Sequence, residues 1–99
     1  MPIFPPRNEP IKKKEQLSQR ESELKLALNK KLPVEKINKA AERYRIAYLS
    51  LLKAKIHEDK EREYKAKPPL HDAESLRKEI LTWTNKTVVE IIKDFEKIL

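Results

Sequence analysis

The apolar residues of this chain recur at intervals of three and four, which is the spacing of one face of an α-helix. The middle third has the most regular run, which starts at Val34 and continues at positions 37, 41, 44, 48 and 51. The last third repeats this spacing from Leu76 to Ile98, and the first third has a narrower apolar face around Leu24. The spacing therefore predicts an all-α protein.

Prolines separate the three runs. Pro33 lies between the first and the second, Pro68 and Pro69 lie between the second and the third, and Asp72 is a suitable N-cap for the third. We predict helices over residues 10–31, 34–66 and 72–98. The Pro-Pro turn favours an antiparallel helical hairpin of the last two helices. The N-terminal helix is then either a third member of a three-helix or coiled-coil-like bundle, or an outlying arm.

Residues 1–9 contain three prolines, which predict an extended arm. From Pro2 to Arg7 this arm fits the PxxPx(K/R) pattern of a polyproline helix that docks in an SH3-type groove. A stiff tail without a partner is the interpretation that we favour. We assign residues 10–99 to a single helical domain, because 99 residues are too few for two hydrophobic cores.

The second helix is apolar over more of its circumference than one neighbour can cover. Its apolar arc spans roughly 200°, whereas a helix that faces one partner needs about 100°. We expect the third helix to cover Tyr44 and Tyr48. Leu49, Leu52 and Ile56 lie towards the other edge, where the first helix or another chain must cover them. The predicted protein interface comprises Tyr44, Tyr48, Leu49, Leu52, Ile56 and Trp83. This interface predicts a homodimer or a subunit of a larger complex, and a self-sufficient monomeric bundle is the alternative.

The net charge of +7 is unevenly distributed. Residues 1–33 and 34–67 each carry a net charge of +4, and residues 68–99 carry −1. The predicted contacts with an anionic partner are Lys12, Lys13, Lys14, Lys30, Lys31, Lys36, Lys39 and Arg43. We interpret this protein as a non-enzymatic interaction or assembly subunit. Its basic side chains would steer an acidic protein partner towards it. The alternative is a small basic nucleic-acid-binding protein that uses the same residues.

The composition argues against catalysis and against a bound cofactor. The chain has no cysteine, no glycine and two histidines, which excludes a disulfide framework, a cysteine-based zinc site and a glycine-rich phosphate loop. His57 and Glu61 are one helical turn apart, but we interpret them as surface residues rather than metal ligands. We therefore predict no enzymatic activity, no cofactor and no metal site. The absence of a long apolar run and of a recognisable signal segment predicts an intracellular protein without a membrane span, either cytoplasmic or nuclear.

Overall fold

The computed structural model describes residues 9–99, which form four helices and no strand. The helices are α1 (Glu9–Asn29), α2 (Val34–Tyr64), α3 (Ala73–Asn85) and α4 (Val88–Ile98). The predicted all-α class is confirmed. The predicted arm, including its PxxPx(K/R) pattern, lies outside the described residues except for Glu9, which begins α1.

α2 is the longest element, and the other three helices pack on it. Its 31 residues span about 46 Å at about 1.5 Å per residue, close to the 50 Å long dimension of the molecule. After a short turn at residues 30–33, α2 runs back along α1, so these two helices form an antiparallel hairpin. α3 is also antiparallel to α2, since Asp59 accepts hydrogen bonds from the backbone just before α3 and Arg45 donates one to the carbonyl of Thr84 near its end.

α1 and α2 both end in a Schellman motif that has no glycine. Lys31 and Ala66 adopt the left-handed conformation, with φ of 51° and 56°. The backbone N–H groups of Leu32 and Lys67 then donate to the carbonyls of Ala27 and Arg62. These motifs end the helices two residues before the predicted ends at 31 and 66, because the chain turns at the left-handed residue and the proline follows only afterwards.

The predicted continuous helix over residues 72–98 is wrong, because the chain breaks between α3 and α4. Asp72 caps α3 as predicted and accepts the backbone N–H of Glu74. A second cap starts α4, where the Thr87 hydroxyl accepts the backbone N–H of Glu90 at 3.2 Å and donates to its carboxylate at 3.1 Å. The sequence Thr-Val-Val-Glu thus stops one helix and begins the next.

The break allows α4 to close the core over the α1–α2 hairpin. Ile91 and Phe95 of α4 form one buried cluster with Leu24 of α1 and Ala41 of α2. An unbroken helix would have continued along its own axis past this end of the hairpin. The N-terminal helix is therefore a member of the bundle, and the core lies where α1, α2 and α4 meet.

Candidate interaction surface on the second helix

The predicted apolar interface is largely used inside the chain. Leu52 is 1% exposed, and Leu49 and Ile56 are half-buried. The cover predicted for Leu52, by the first helix or by another chain, comes from within the chain, since α1, α3 and α4 all pack on α2.

The three predicted aromatic interface residues pack against one another. The rings of Tyr48 and Trp83 are stacked with centroids 4.0 Å apart, and Tyr44 meets Trp83 edge-on at 5.7 Å. Phe95 approaches Tyr44 edge-on at 4.9 Å, so α4 extends the cluster. Such contacts are typical of aromatic packing in a protein interior. The expectation that the third helical segment covers Tyr44 and Tyr48 is confirmed.

Burial of the aromatic cluster changes the proton affinity of its hydroxyls. Desolvation and the nearby charge of Glu21 raise the pKa of Tyr44 to about 12, and desolvation also raises the pKa of Tyr48. Lys86 closes one side of the cluster, with its Nζ 4.7 Å from the centroid of the Trp83 ring and 2.8 Å from the carboxylate of Asp94. Its hydrogen bond lowers the pKa of Asp94. The cluster therefore joins α2, α3 and α4.

A group of polar side chains joins the end of α2 to the start of α3. Ligand atoms of Glu58, Asp59 and His71 lie within 4.8 Å of one another. The His71 ring is 3.0 Å from Glu58, and Asp59 accepts the backbone N–H groups of Leu70 and His71 at 2.9 and 3.1 Å. These hydrogen bonds account for the proximity of the three side chains as an anchor for the loop. An adjacent cleft of about 540 Å³ carries three cations and three carboxylates, so it has no net charge bias towards a ligand.

The outward side of α2 carries a row of cations. We call this row the basic stripe, and define it as Lys36, Lys39, Arg43, Ile46, Ser50, Lys53, His57 and Lys60. Six of the eight side chains are exposed, and Ser50 and His57 are half-buried. The stripe extends for about 36 Å at about 1.5 Å per residue. At about 100° per residue these positions spread over an arc of about 120°. The arc contains five Lys or Arg side chains and three carboxylates, which are Glu35, Glu42 and Glu61, so this side of α2 has an excess of positive charge.

Four carboxylates of α2 near the stripe have partners within the chain, whereas Glu35 and Glu63 are exposed beside it. Glu42 binds Arg45 at the edge of the stripe, and Glu61 binds Lys65 beyond its end. Glu58 and Asp59 hold the loop described above. Within residues 9–99, no ion pair joins a carboxylate to any of the five stripe cations, which are Lys36, Lys39, Arg43, Lys53 and Lys60.

The structure divides the predicted basic residues into two groups. Lys30 and Lys31 are exposed in the α1–α2 turn, directly before the start of the basic stripe. The Lys12–Lys14 run lies in the first turns of α1, about 27 Å from Lys30 along that helix at about 1.5 Å per residue. The prediction did not include Ile46, Lys53 and Lys60. The signal that would have found them is the unbroken 3–4 spacing from position 36 to position 60 without a carboxylate.

Among the helices of residues 9–99, none combines the length and the apolar character needed to cross a bilayer. No protein-family model, no curated protein and no solved structure matches this chain.

Proposed function

We propose that this protein is a non-enzymatic interaction subunit that binds an acidic protein partner through the basic stripe of α2. The observation that carries the proposal is the exposed row of Lys36, Lys39, Arg43, Lys53 and Lys60, which form no ion pair with a carboxylate in the described part of the chain. Like charges three and four residues apart destabilise a helix by roughly 0.2–0.5 kcal/mol per pair, so the row from Lys36 to Arg43 has a cost, of which Glu35, four residues before Lys39, offsets a part. An anionic partner would relieve that repulsion and would be steered towards the stripe.

Self-association through the stripe is a poorer explanation of the same surface. Two copies that met at this face would bring cations against cations, and like-charge juxtaposition in an interface is strongly unfavourable. The apolar edge on which a homodimer was expected contains Leu52, which is buried within the chain. A partner of opposite charge therefore fits the surface better than a second copy does.

Nucleic acid is the second candidate, because the five Lys and Arg side chains of the stripe form no ion pair with a carboxylate within residues 9–99. Unpaired Lys and Arg side chains supply most of the affinity of non-specific nucleic-acid binding. Ile46 argues for a protein partner instead. It is an apolar side chain that is 54% exposed in the middle of the stripe, and it cannot bind a phosphate group. Apolar side chains ringed by charged ones are typical of protein interfaces.

The test measures the binding of fluorescently labelled polyglutamate and of a short DNA duplex to the full chain at about 50 mM salt, where electrostatic binding is strong. The triple variant Lys36→Glu, Lys39→Glu, Arg43→Glu removes the first half of the stripe. The triple variant Arg77→Glu, Lys93→Glu, Lys97→Glu makes the same charge change at exposed positions outside the stripe. We expect the stripe variant to weaken polyglutamate binding at least about tenfold and the control to change it by less than about threefold.

Two results would overturn the proposal. Equal losses in the two triple variants would mean that net charge alone drives binding. Tighter binding of the duplex than of polyglutamate, with its loss in variants of Lys12, Lys13 and Lys14, would favour nucleic acid.

A further inference from the structure

The anchor of the loop between α2 and α3 combines three side chains that are common metal ligands. Glu58 and Asp59 are consecutive residues of α2, and His71 directly precedes Asp72, the N-cap of α3. All three side chains are half-buried, and their ligand atoms lie within 4.8 Å of one another. Within residues 9–99, no second group of three histidine or acidic side chains comes this close. One imidazole nitrogen with carboxylate oxygens is a ligand set that Zn²⁺ accepts.

The distance between His71 and Glu58 suits two ligands of one ion. Nε2 of His71 is 3.0 Å from Oε1 of Glu58. Two ligands that are each about 2.0–2.2 Å from a common ion are about 2.8–3.6 Å apart when they meet at angles between 90° and the tetrahedral value. This pair therefore already has the separation that Zn²⁺ requires. A closing movement of no more than about 2 Å brings the Asp59 carboxylate to the same separation from both.

Asp59 is oriented by the backbone of the loop. Its two carboxylate oxygens accept the N–H groups of Leu70 and His71 at 2.9 and 3.1 Å. Each carboxylate oxygen has two lone pairs, so each keeps one for an ion after it has accepted one hydrogen bond. Hydrogen bonds of this kind orient ligating carboxylates in metal sites. The contacts that hold the loop therefore also fix one ligand in position.

The surroundings of the anchor favour Zn²⁺ over Mg²⁺ and Ca²⁺. Asp59 and His71 line the adjacent cleft of about 540 Å³, which has room for the water molecules that complete the coordination of an ion. The charged side chains of this cleft balance, so affinity for a cation has to come from direct ligand bonds. Mg²⁺ and Ca²⁺ prefer oxygen ligands, whereas imidazole suits Zn²⁺.

We propose that Glu58, Asp59 and His71 form a binding site for Zn²⁺, with water in the remaining coordination positions. The ion ties α2 to the residue before the N-cap of α3, and it takes the place of the proton that links His71 to Glu58. His71 is 12 residues from Asp59 and 13 from Glu58 along the chain, so their spacing gives no metal-site signal in the sequence. The inference is independent of the proposed function, because none of the three ligands belongs to the basic stripe.

The experiment titrates Zn²⁺ into the full chain at neutral pH, after EDTA treatment and dialysis. Isothermal titration calorimetry measures the affinity and the number of ions bound, and circular dichroism follows thermal unfolding. We expect one Zn²⁺ per chain and a higher midpoint of unfolding, since an ion that binds only the folded chain stabilises it. Mg²⁺ at the same concentrations should give neither effect.

Single variants locate the ion. His71→Ala removes the nitrogen ligand, and Glu58→Gln removes a carboxylate but keeps a side chain that can hydrogen-bond to His71. Each should weaken Zn²⁺ binding at least about tenfold. His57→Ala is the matched control, because His57 is the other histidine of the chain, and it should change the affinity by less than about threefold. Circular dichroism without Zn²⁺ establishes that each variant is folded.

Three results would refute the site. The first is the absence of Zn²⁺ binding by the unchanged chain. The second is a loss of affinity in His57→Ala that equals or exceeds the loss in His71→Ala, which would place the ion elsewhere on α2. The third is Mg²⁺ binding as tight as that of Zn²⁺, which would exclude a role for the imidazole. The binding of polyglutamate tests the acidic partner separately from all three.

Discussion

At the scale of single residues, Tyr44 shows how the aromatic cluster is held. Its ring contacts Trp83 of α3 and Phe95 of α4, and burial together with the charge of Glu21 raises its pKa to about 12. An acid whose pKa is higher in the folded chain binds more protons there than in the unfolded chain. Tyr44 therefore favours unfolding as the pH rises from about 10 towards about 12.

Replacing Tyr44 with phenylalanine should remove this alkaline sensitivity. The ring stays in the cluster, but the group that ionises more easily in the unfolded chain is gone. We expect the free energy of unfolding of Tyr44→Phe to fall less than that of the unchanged chain between about pH 8 and about pH 11. Urea unfolding followed by circular dichroism measures both. Equal losses for the two chains would contradict the assigned environment of Tyr44.

At the scale of the helices, the ends of α1 and α2 explain how a chain without glycine makes two sharp turns. Lys31 and Ala66 occupy the left-handed position that glycine normally fills, and each carries the steric cost of its Cβ atom. Arg62 then stabilises the second turn through a hydrogen bond from its guanidinium to the carbonyl of Pro68. The turns are thus formed at some cost to stability.

Relieving that cost at one turn should stabilise the protein. We expect Ala66→Gly to raise the free energy of unfolding by about 0.5–1 kcal/mol, since glycine adopts the left-handed conformation without strain. Ala73→Gly is the matched control. It makes the same exchange at the exposed first residue of α3, which is not left-handed, and should not raise that free energy. A destabilised Ala66→Gly variant would show that the Cβ atom of Ala66 has no cost at this turn. Thermal and urea unfolding measure both changes.

At the scale of the whole molecule, α2 separates an apolar interior from a charged exterior. Leu52 faces the interior, while the basic stripe faces solvent along the same helix. The outward face of α2 therefore has an excess of positive charge, although Val34, Ile46 and Tyr64 of this helix are also exposed.

A charge introduced at position 52 should unfold the chain rather than merely dissociate an assembly. Leu52→Asp places a carboxylate in a site that is 1% exposed, so we expect a loss of more than about 3 kcal/mol. Leu26→Asp makes the same substitution at a site that is 53% exposed and should cost no more than about 1 kcal/mol. Far-UV circular dichroism at neutral pH distinguishes them. A folded Leu52→Asp variant would contradict the burial of this side chain within the single chain.

Some local features of the fold were predictable because they depend on neighbouring residues. The 3–4 spacing predicts the helices, and the N-cap at Asp72 follows from its side chain. The cap at Thr87 has the same kind of signal in Thr-Val-Val-Glu, but the apolar spacing continues through it and suggests one helix. The left-handed conformations of Lys31 and Ala66 have no such signal, because neither residue type favours them.

The candidate surface was predictable only in part. Lys36, Lys39 and Arg43 were identified from their helix face alone. A helical-wheel projection places them opposite the apolar positions 34, 37, 41, 44, 48 and 51. The projection also places Leu52 on an edge for the first helix or another chain to cover, and it cannot choose between them, because it counts the apolar positions of α2 but not the helices that pack on them.

The sequence by itself determined the helical class, the separation of apolar and basic faces on α2, and the excess of positive charge, since these depend on the order of side chains along a helix. Only the tertiary structure decided which faces remain in contact with solvent. The break at Thr87 turns α4 onto Leu24 and Ala41, and α1, α3 and α4 together enclose the apolar side of α2. Lys36, Lys39, Arg43, Ile46, Lys53 and Lys60 of the stripe remain exposed in this packing, whereas Ser50 and His57 are half-buried. Packing between distant segments cannot be derived from the spacing within one of them.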